Sequence, residues 1–139
     1  MFTKILIAYD GSDHARKAAD IARELANKLQ ADVCVVVAYE PLPSYLGKPN
    51  IQAVIDSRMD HAEAKMKEAI EAIGNITGKV TREVLEGPAS EAILDVAEVQ
   101  KIELIIMGTR GLGSLKGLLI GSTSQKVLSH ALCPVLLAR

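Results

Sequence analysis

The sequence predicts an α/β fold: an open, doubly wound, five-stranded parallel sheet with helices on both faces. Three observations predict it. Short, almost wholly apolar runs recur along the chain, as expected for strands covered on both faces. Patterns with apolar steps of three and four separate them, the signature of helices with one buried stripe. Strands alternating with helices in this way imply right-handed crossovers and a mostly parallel sheet. A glycine ladder follows the fourth apolar run and bears on function rather than fold. It reads Gly108, Thr109, Arg110, Gly111, nine further residues, then Gly121, Ser122, Thr123 and Ser124. A strand opening into a glycine-rich loop and then a helix start is a natural place for phosphate. Glycines let backbone amides approach an anion, and a helix start adds unpaired N–H groups and a positive dipole end.

Each element follows from its own residues. Residues 4–9 (KILIAY) form the first apolar run, and Asp10, Gly11, Ser12 and Asp13 a turn. A helix follows, with Ala18, Ala22, Leu25 and Leu29 on one stripe. Residues 32–39 (DVCVVVAY) are a second buried strand, rich in β-branched side chains. Pro41, Pro43, Gly47 and Pro49 mark a connection. A long helix is expected over 51–73, on a stripe of Ile51, Ile55, Met59, Ala62, Met66, Ile70 and Ile73. Gly74 and Asn75 end it. Residues 79–85 read as a third strand, more polar and so less covered. Gly87 and Pro88 open the next helix, whose inward face is Ala92, Ile93, Val96 and Ala97. Residues 103–107 are the fourth strand, 125–132 carry a helical pattern, and 134–138 are the fifth strand. The chain shows no internal repeat or linker, so residues 1–139 are expected to form one domain.

Composition excludes several classes of function. Sixteen basic and seventeen acidic residues leave a net charge of −1, with no electrostatic footprint for nucleic acid or a membrane surface. Three tyrosines and one phenylalanine offer little surface for stacking bases. No apolar run approaches the ~20 residues of a membrane span. The N-terminus lacks a secretory pattern, and Cys34 and Cys133 read as reduced core thiols. A cytoplasmic location is expected.

In an open α/β sheet, ligands bind beyond the C-terminal ends of the strands, where strand order reverses. Asp10, the end of the second strand near Val37 and Ala38, and the ladder should meet there. The ladder carries Arg110 and Lys116 and no acidic residue from Gly108 through Ser124, a sign that suits polyphosphate. Ser122 to Gln125 spell an S-x-x-Q capping box, and cap hydroxyls and amides can also face an anion. The ladder is not a Walker A loop, because Ser114 follows Gly113 where lysine is required. It is not the dinucleotide fingerprint, because Lys116 stands at the third glycine position. Asp10 has two readings: it initiates the turn or caps the helix, or it serves the nucleoside end of a ligand or a metal. His14 lies within reach of the site but reads as a solvated helix position. His61 and Glu63 are not at metal spacing, and His130 with Cys133 is insufficient for zinc. Ser12 and Ser114 have no visible base partner, so nucleophilic catalysis has little support.

The spacing Gly108-x2-Gly111-x9-Gly121-Ser122 resembles the ATP-binding signature of the universal stress protein family. The flanks are similar too, at residues 107–111, 118–122 and 133–137 and at the start, 5–12. The resemblance covers essentially the whole chain. It implies the strand order 3-2-1-4-5, of the adenine nucleotide alpha hydrolase-like type. It also implies adenine held by backbone at Ala8, Asp10 and Ala38. Ribose and phosphates would be held by Met107, Gly108, Arg110, Gly111, Gly121, Ser122, Thr123 and Ser124. Many relatives have valine at positions 38 and 123, where this chain has Ala38 and Thr123. The branch that does not bind ATP loses the glycines that this chain keeps. The ligand implied is ATP, with Mg2+ or Mn2+ carried on the phosphates in some members. A homodimer through the C-terminal strand is implied as well, and pairing would cover an exposed apolar edge.

The function expected is therefore that of a nucleotide-dependent stress-response switch with an unknown protein partner. ATP would order the stretch from Gly108 to Gly121 and change a surface that the partner reads. The alternatives are a slow ATPase, for which Asp10 is the nearby carboxylate, or a partner-binding protein with an empty nucleotide site.

Overall fold

The computed structural model describes residues 2–42, 45, 47–110 and 120–139. Its elements are β1 (Lys4–Ala8), α1 (Asp13–Leu29), β2 (Asp32–Tyr39), α2 (Lys48–Ile73), β3 (Val80–Glu86), α3 (Ala89–Val99), β4 (Leu104–Gly108), α4 (Ser122–His130) and β5 (Val135–Ala138). The five strands make one sheet in the order β3-β2-β1-β4-β5. All four pairings are parallel. Ile5 stands between Val33 on β2 and Leu104 on β4, and Ile105 stands beside Val135 on β5. Strand order reverses between β1 and β4, so their C-terminal ends diverge at a switch point.

Alternating side chains build two cores. Ile5, Ile7, Val33, Val35, Val37 and Ile106 face α1 and α2, which contribute Ala18, Ala22, Met66 and Ile73. Leu6, Cys34, Val36, Ile105 and Met107 face the other way, onto Ile93 and Val96 of α3 and Val127 of α4. This is the period of two expected of a strand buried on both sides.

Four details differ from the expected elements. The buried stripe of α1 is Ala15, Ala18, Ala19, Ala22 and Ala26, while Leu29 is 42% exposed. Alanines let that helix lie close to the sheet, which narrows the buried arc and leaves its C-terminal leucine outside. α2 begins at Lys48, with Pro49 in its first turn. An N–H missing there has no intrahelical acceptor to lose. Pro88 sits at the N-cap of α3, just outside the helix. α4 spans Ser122–His130, about three residues earlier than its apolar pattern suggested, and Leu132 is 96% exposed.

Gly74 ends α2 as expected, with its N–H donating to the Ile70 carbonyl at 3.0 Å. The polar strand β3 lies at one edge of the sheet and β5 at the other. Cys34 is buried, Cys133 half-buried, and both are free thiols. Burial pushes both thiols up from their ordinary pKa, so neither is poised as a nucleophile. No described helix is long and apolar enough to cross a membrane.

A cleft at the C-terminal ends of the strands

The site begins with the turn that follows β1. The Asp10 carboxylate accepts the Ser12 N–H at 2.9 Å, an Asx turn that reverses the chain. Gly11 takes φ +84°, a conformation open to glycine at little cost. Ser12 then caps α1, its hydroxyl oxygen accepting the Ala15 N–H at 3.1 Å. The turn-forming reading of Asp10 is thus realised, and the capping role falls to Ser12.

β4 ends against that same turn. A Cβ built on Gly108 would lie 2.7 Å from the His14 Cβ and 3.0 Å from the His14 carbonyl carbon. Gly108 therefore has a packing reason to be glycine: the first turn of α1 lies across it. Past Gly108 the chain is tied at both sides. The Thr109 N–H donates to the Ala138 carbonyl at 2.8 Å, and the Gly121 N–H donates to the Thr109 carbonyl at 2.7 Å. The ladder thus leaves and returns at one point, bringing the end of β4 to the start of α4. Gly111, Gly113, Ser114 and Lys116 lie outside the described residues, as does most of the stretch expected to order on binding.

The Thr109–Gly121 bond also explains a correction. Gly121 is the N-cap of α4, in extended conformation, and no side chain caps the helix. Ser122 is the first helical residue and is exposed, so the S-x-x-Q capping box is not formed. Ser122, Thr123 and Ser124 occupy the first three helical positions, whose amides have no intrahelical acceptor. The Ser124 hydroxyl is buried and donates to the Gly108 carbonyl at 2.8 Å. That bond locks the first turn of α4 onto the end of β4.

Between these parts lies a cleft. Ala8, Asp10, Ala38, Met107, Gly108, Arg110, Thr123 and Ser124 all line it. Eight residues singled out in the sequence, drawn from separate segments, thus share one concave surface. Gly121 and Ser122 stand beside it at the start of α4, outside the lining. The sequence reading missed Tyr9, Ala15, Val36, Ala89 and Ile93, which complete the wall. Their only signal was apolarity, which core residues share. Val36, Ile93 and Met107 supply an apolar floor, and the alanines keep it open.

Charge around the cleft is unevenly placed. Arg110 is the cation in the described lining and Asp10 the carboxylate. Tyr9 is buried, and its hydroxyl donates to Glu68 at 2.6 Å. Burial, then that bond, pushes the phenol up to about 12. The same Glu68 oxygen accepts from Arg16 Nε at 3.2 Å. The Tyr9 hydroxyl, then Arg16, holds the Glu68 carboxyl below its ordinary range. This network joins the turn after β1 to α1 and α2 at the cleft wall. His14 is half-buried and touches Thr109 and Arg110, contrary to its reading as a solvated position. Among the described residues no group of three or more histidine, cysteine or acidic side chains is placed to hold a metal.

The sequence model of the universal stress protein family matches residues 1–139. The chain belongs to the universal stress protein family. A relative from Thermus aquaticus, the universal stress protein in the QAH/OAS sulfhydrylase 3′ region, is 48% identical and covered in full, as is this chain. The universal stress protein UspA from Lactobacillus plantarum has a TM-score of 0.87 at 26% identity, over 99% of this chain and 98% of its own. Two more distant members share the fold, both with a TM-score of 0.74. One is a universal stress protein in complex with cAMP, at 22% identity over 99% and 97% of the two chains. The other, from Archaeoglobus fulgidus, is in complex with dAMP, at 21% identity over the whole of both.

Proposed function

We propose that this universal stress protein binds an adenine nucleotide, with ATP as the ligand, in the cleft at the ends of β1, β2 and β4. One observation carries the reading. Ala8, Ala38, Met107, Gly108, Arg110, Thr123 and Ser124 come from four separate segments and line one cleft at the switch point of the sheet. Its parts suit the parts of a nucleotide. An apolar floor of Val36, Ile93 and Met107, with alanines at the rim, suits a flat base that bonds to backbone. The N-terminus of α4 and the Arg110 guanidinium suit phosphate. That members of the family are found with cAMP and dAMP supports an adenine ligand.

The donor set fits a nucleotide better than a bare metal ion. Asp10 is the carboxylate of the lining, and one of its oxygens is engaged by the Ser12 amide. A divalent ion would therefore arrive on the phosphates, where it would neutralise charge. The same shortage of carboxylates among the described lining residues disfavours designed hydrolysis, which needs a base or a residue positioning water.

Binding would act as a switch if two states of the ladder differ in nucleotide affinity, and a ligand shifts populations only through that difference. We assign the half-buried edge strand β5 to a homodimer contact, since Val135, Leu136 and Leu137 leave apolar surface on an unpaired edge. A monomeric mass in sedimentation at micromolar concentration overturns that assignment. The binding test is mass spectrometry of nucleotide released on denaturing the purified protein, followed by calorimetric titration with ATP and magnesium. Stoichiometric ATP, lost in Gly121→Val, is the expected result. An empty protein that also fails to bind added ATP, AMP or cAMP overturns the reading.

A further inference from the structure

The histidine on the first turn of α1 is held from three sides. Its own backbone packs on Gly108, with room for no Cβ between them. Its Nδ1 lies 3.4 Å from the Thr109 hydroxyl oxygen, and its Nε2 lies 3.3 Å from Arg110 Nη2. Thr109 is itself pinned by backbone bonds to Ala138 and Gly121 and is 6% exposed. The chemistry of the pair then selects one form of the ring. A guanidinium has donors only. Nε2 must therefore carry the lone pair that accepts from Arg110, which leaves the proton on Nδ1, facing the Thr109 hydroxyl.

We propose that His14 is a positioning residue for nucleotide phosphate: as the neutral Nδ1–H imidazole it holds the Arg110 guanidinium at the rim of the cleft. Arg110 stands where the chain leaves β4, and a long side chain there has many rotamers to lose on meeting an anion. A partner that fixes one nitrogen while leaving the rest of the fork free lowers that loss, as preorganisation does in general. His14 does not line the cleft among the described residues, so its effect passes through Arg110. This inference rests on the nucleotide reading above and adds a regulator of how strongly the phosphates count.

Two measurements test it. The first needs no ligand. Nitrogen-15 NMR of the imidazole at pH 8 should show the Nδ1–H tautomer in the wild type and its loss of preference in Arg110→Ala. An Nε2–H tautomer in the wild type overturns the inference. The second compares affinities for adenosine, AMP and ATP in wild type, His14→Ala, His14→Gln and Arg110→Ala. His14 acts on the phosphates only through Arg110, so its loss should weaken ATP binding by about three- to tenfold, less than a charged hydrogen bond lost outright. His14→Ala should weaken ATP by about that factor and leave adenosine unchanged. His14→Gln, whose amide oxygen can accept from Arg110, should restore most of it. His14→Ala should add nothing in an Arg110→Ala background. Equal losses for adenosine and ATP would make His14 a packing residue and overturn the inference alone. A wild type that binds no adenine nucleotide overturns the functional reading, and the inference with it.

Discussion

The two ends of the sheet differ in what their residues do. At the N-terminal ends of the strands, side-chain oxygens tie neighbouring segments together. Glu103 accepts from the Thr3 amide at 2.9 Å, the Thr3 hydroxyl at 2.6 Å and the Lys4 amide at 3.2 Å. Asp32 accepts the Lys79 amide at 2.9 Å. At the C-terminal ends, Ala8, Ala38 and Gly108 keep side-chain volume small, and the space is left as a cleft. Its polar groups mostly hold the walls: Asp10 makes a turn, Ser12 a cap, Ser124 a bond to Gly108. One end uses its polar groups to tie segments together and the other to keep an opening in shape. Strand direction dictates which is which, because the loops that diverge at the switch point all leave from the C-terminal side.

The largest break in that contrast should come from Gly108→Ala. The added methyl would meet the His14 Cβ at 2.7 Å and its carbonyl carbon at 3.0 Å, and neither belongs to a flexible side-chain end. Overpacking of this kind costs about 1–3 kcal/mol. Urea unfolding should show that loss, and the shifted α1 turn should take nucleotide binding with it. Unchanged stability would mean that α1 and β4 are less closely packed than described.

Arg110→Ala should sharpen the contrast instead. The side chain is half-exposed at the cleft rim, and its described partner is one imidazole nitrogen. Stability should stay within about 0.5 kcal/mol of wild type, as for other surface changes. ATP affinity should fall about ten- to a hundredfold, the scale of a lost charged hydrogen bond. Calorimetric titration beside urea unfolding reads both. A large loss of stability with binding kept would reverse the assignment of this end to ligand.

Local patterns explain which parts of this were legible in sequence. The strands are runs such as KILIAY and DVCVVVAY, whose burial on both faces is written in each residue, so element types and the parallel sheet could be read directly. The order 3-2-1-4-5 came from family resemblance, because periodicity carries no information on which strand lies beside which. The cap of α4 was misread for a related reason. Ser122 has the right local chemistry, but a tertiary bond from Gly121 to Thr109 starts the helix one residue earlier. His14 looked solvated because its partners are 95 and 96 residues away. Ile93 looked like core because a cleft wall and a core share composition. Stripe spacing likewise placed Leu29 inside, where only the close approach of an alanine face leaves it out.

The smallest effect belongs to the N-terminal end of the sheet and has a pH signature. The Thr3 hydroxyl, then the Thr3 and Lys4 amides, hold the Glu103 carboxyl below its ordinary range. A carboxylate more acidic in the folded chain than in the unfolded one stabilises the fold above the unfolded value, about pH 4.3 for glutamate. That stabilisation disappears as pH falls through the lower, folded value. Glu103→Gln should therefore unfold at a lower temperature than wild type at pH 7, and the gap should close as pH drops below about 4. Nucleotide affinity should not change, since Glu103 lies at the other end of the sheet from the cleft. A gap that stays constant from neutral to acid pH would show that Glu103 acts by shape alone. A change in affinity would show that the two ends are coupled through the strands β1 and β4, which the close-packed core between them makes the stiffest path available.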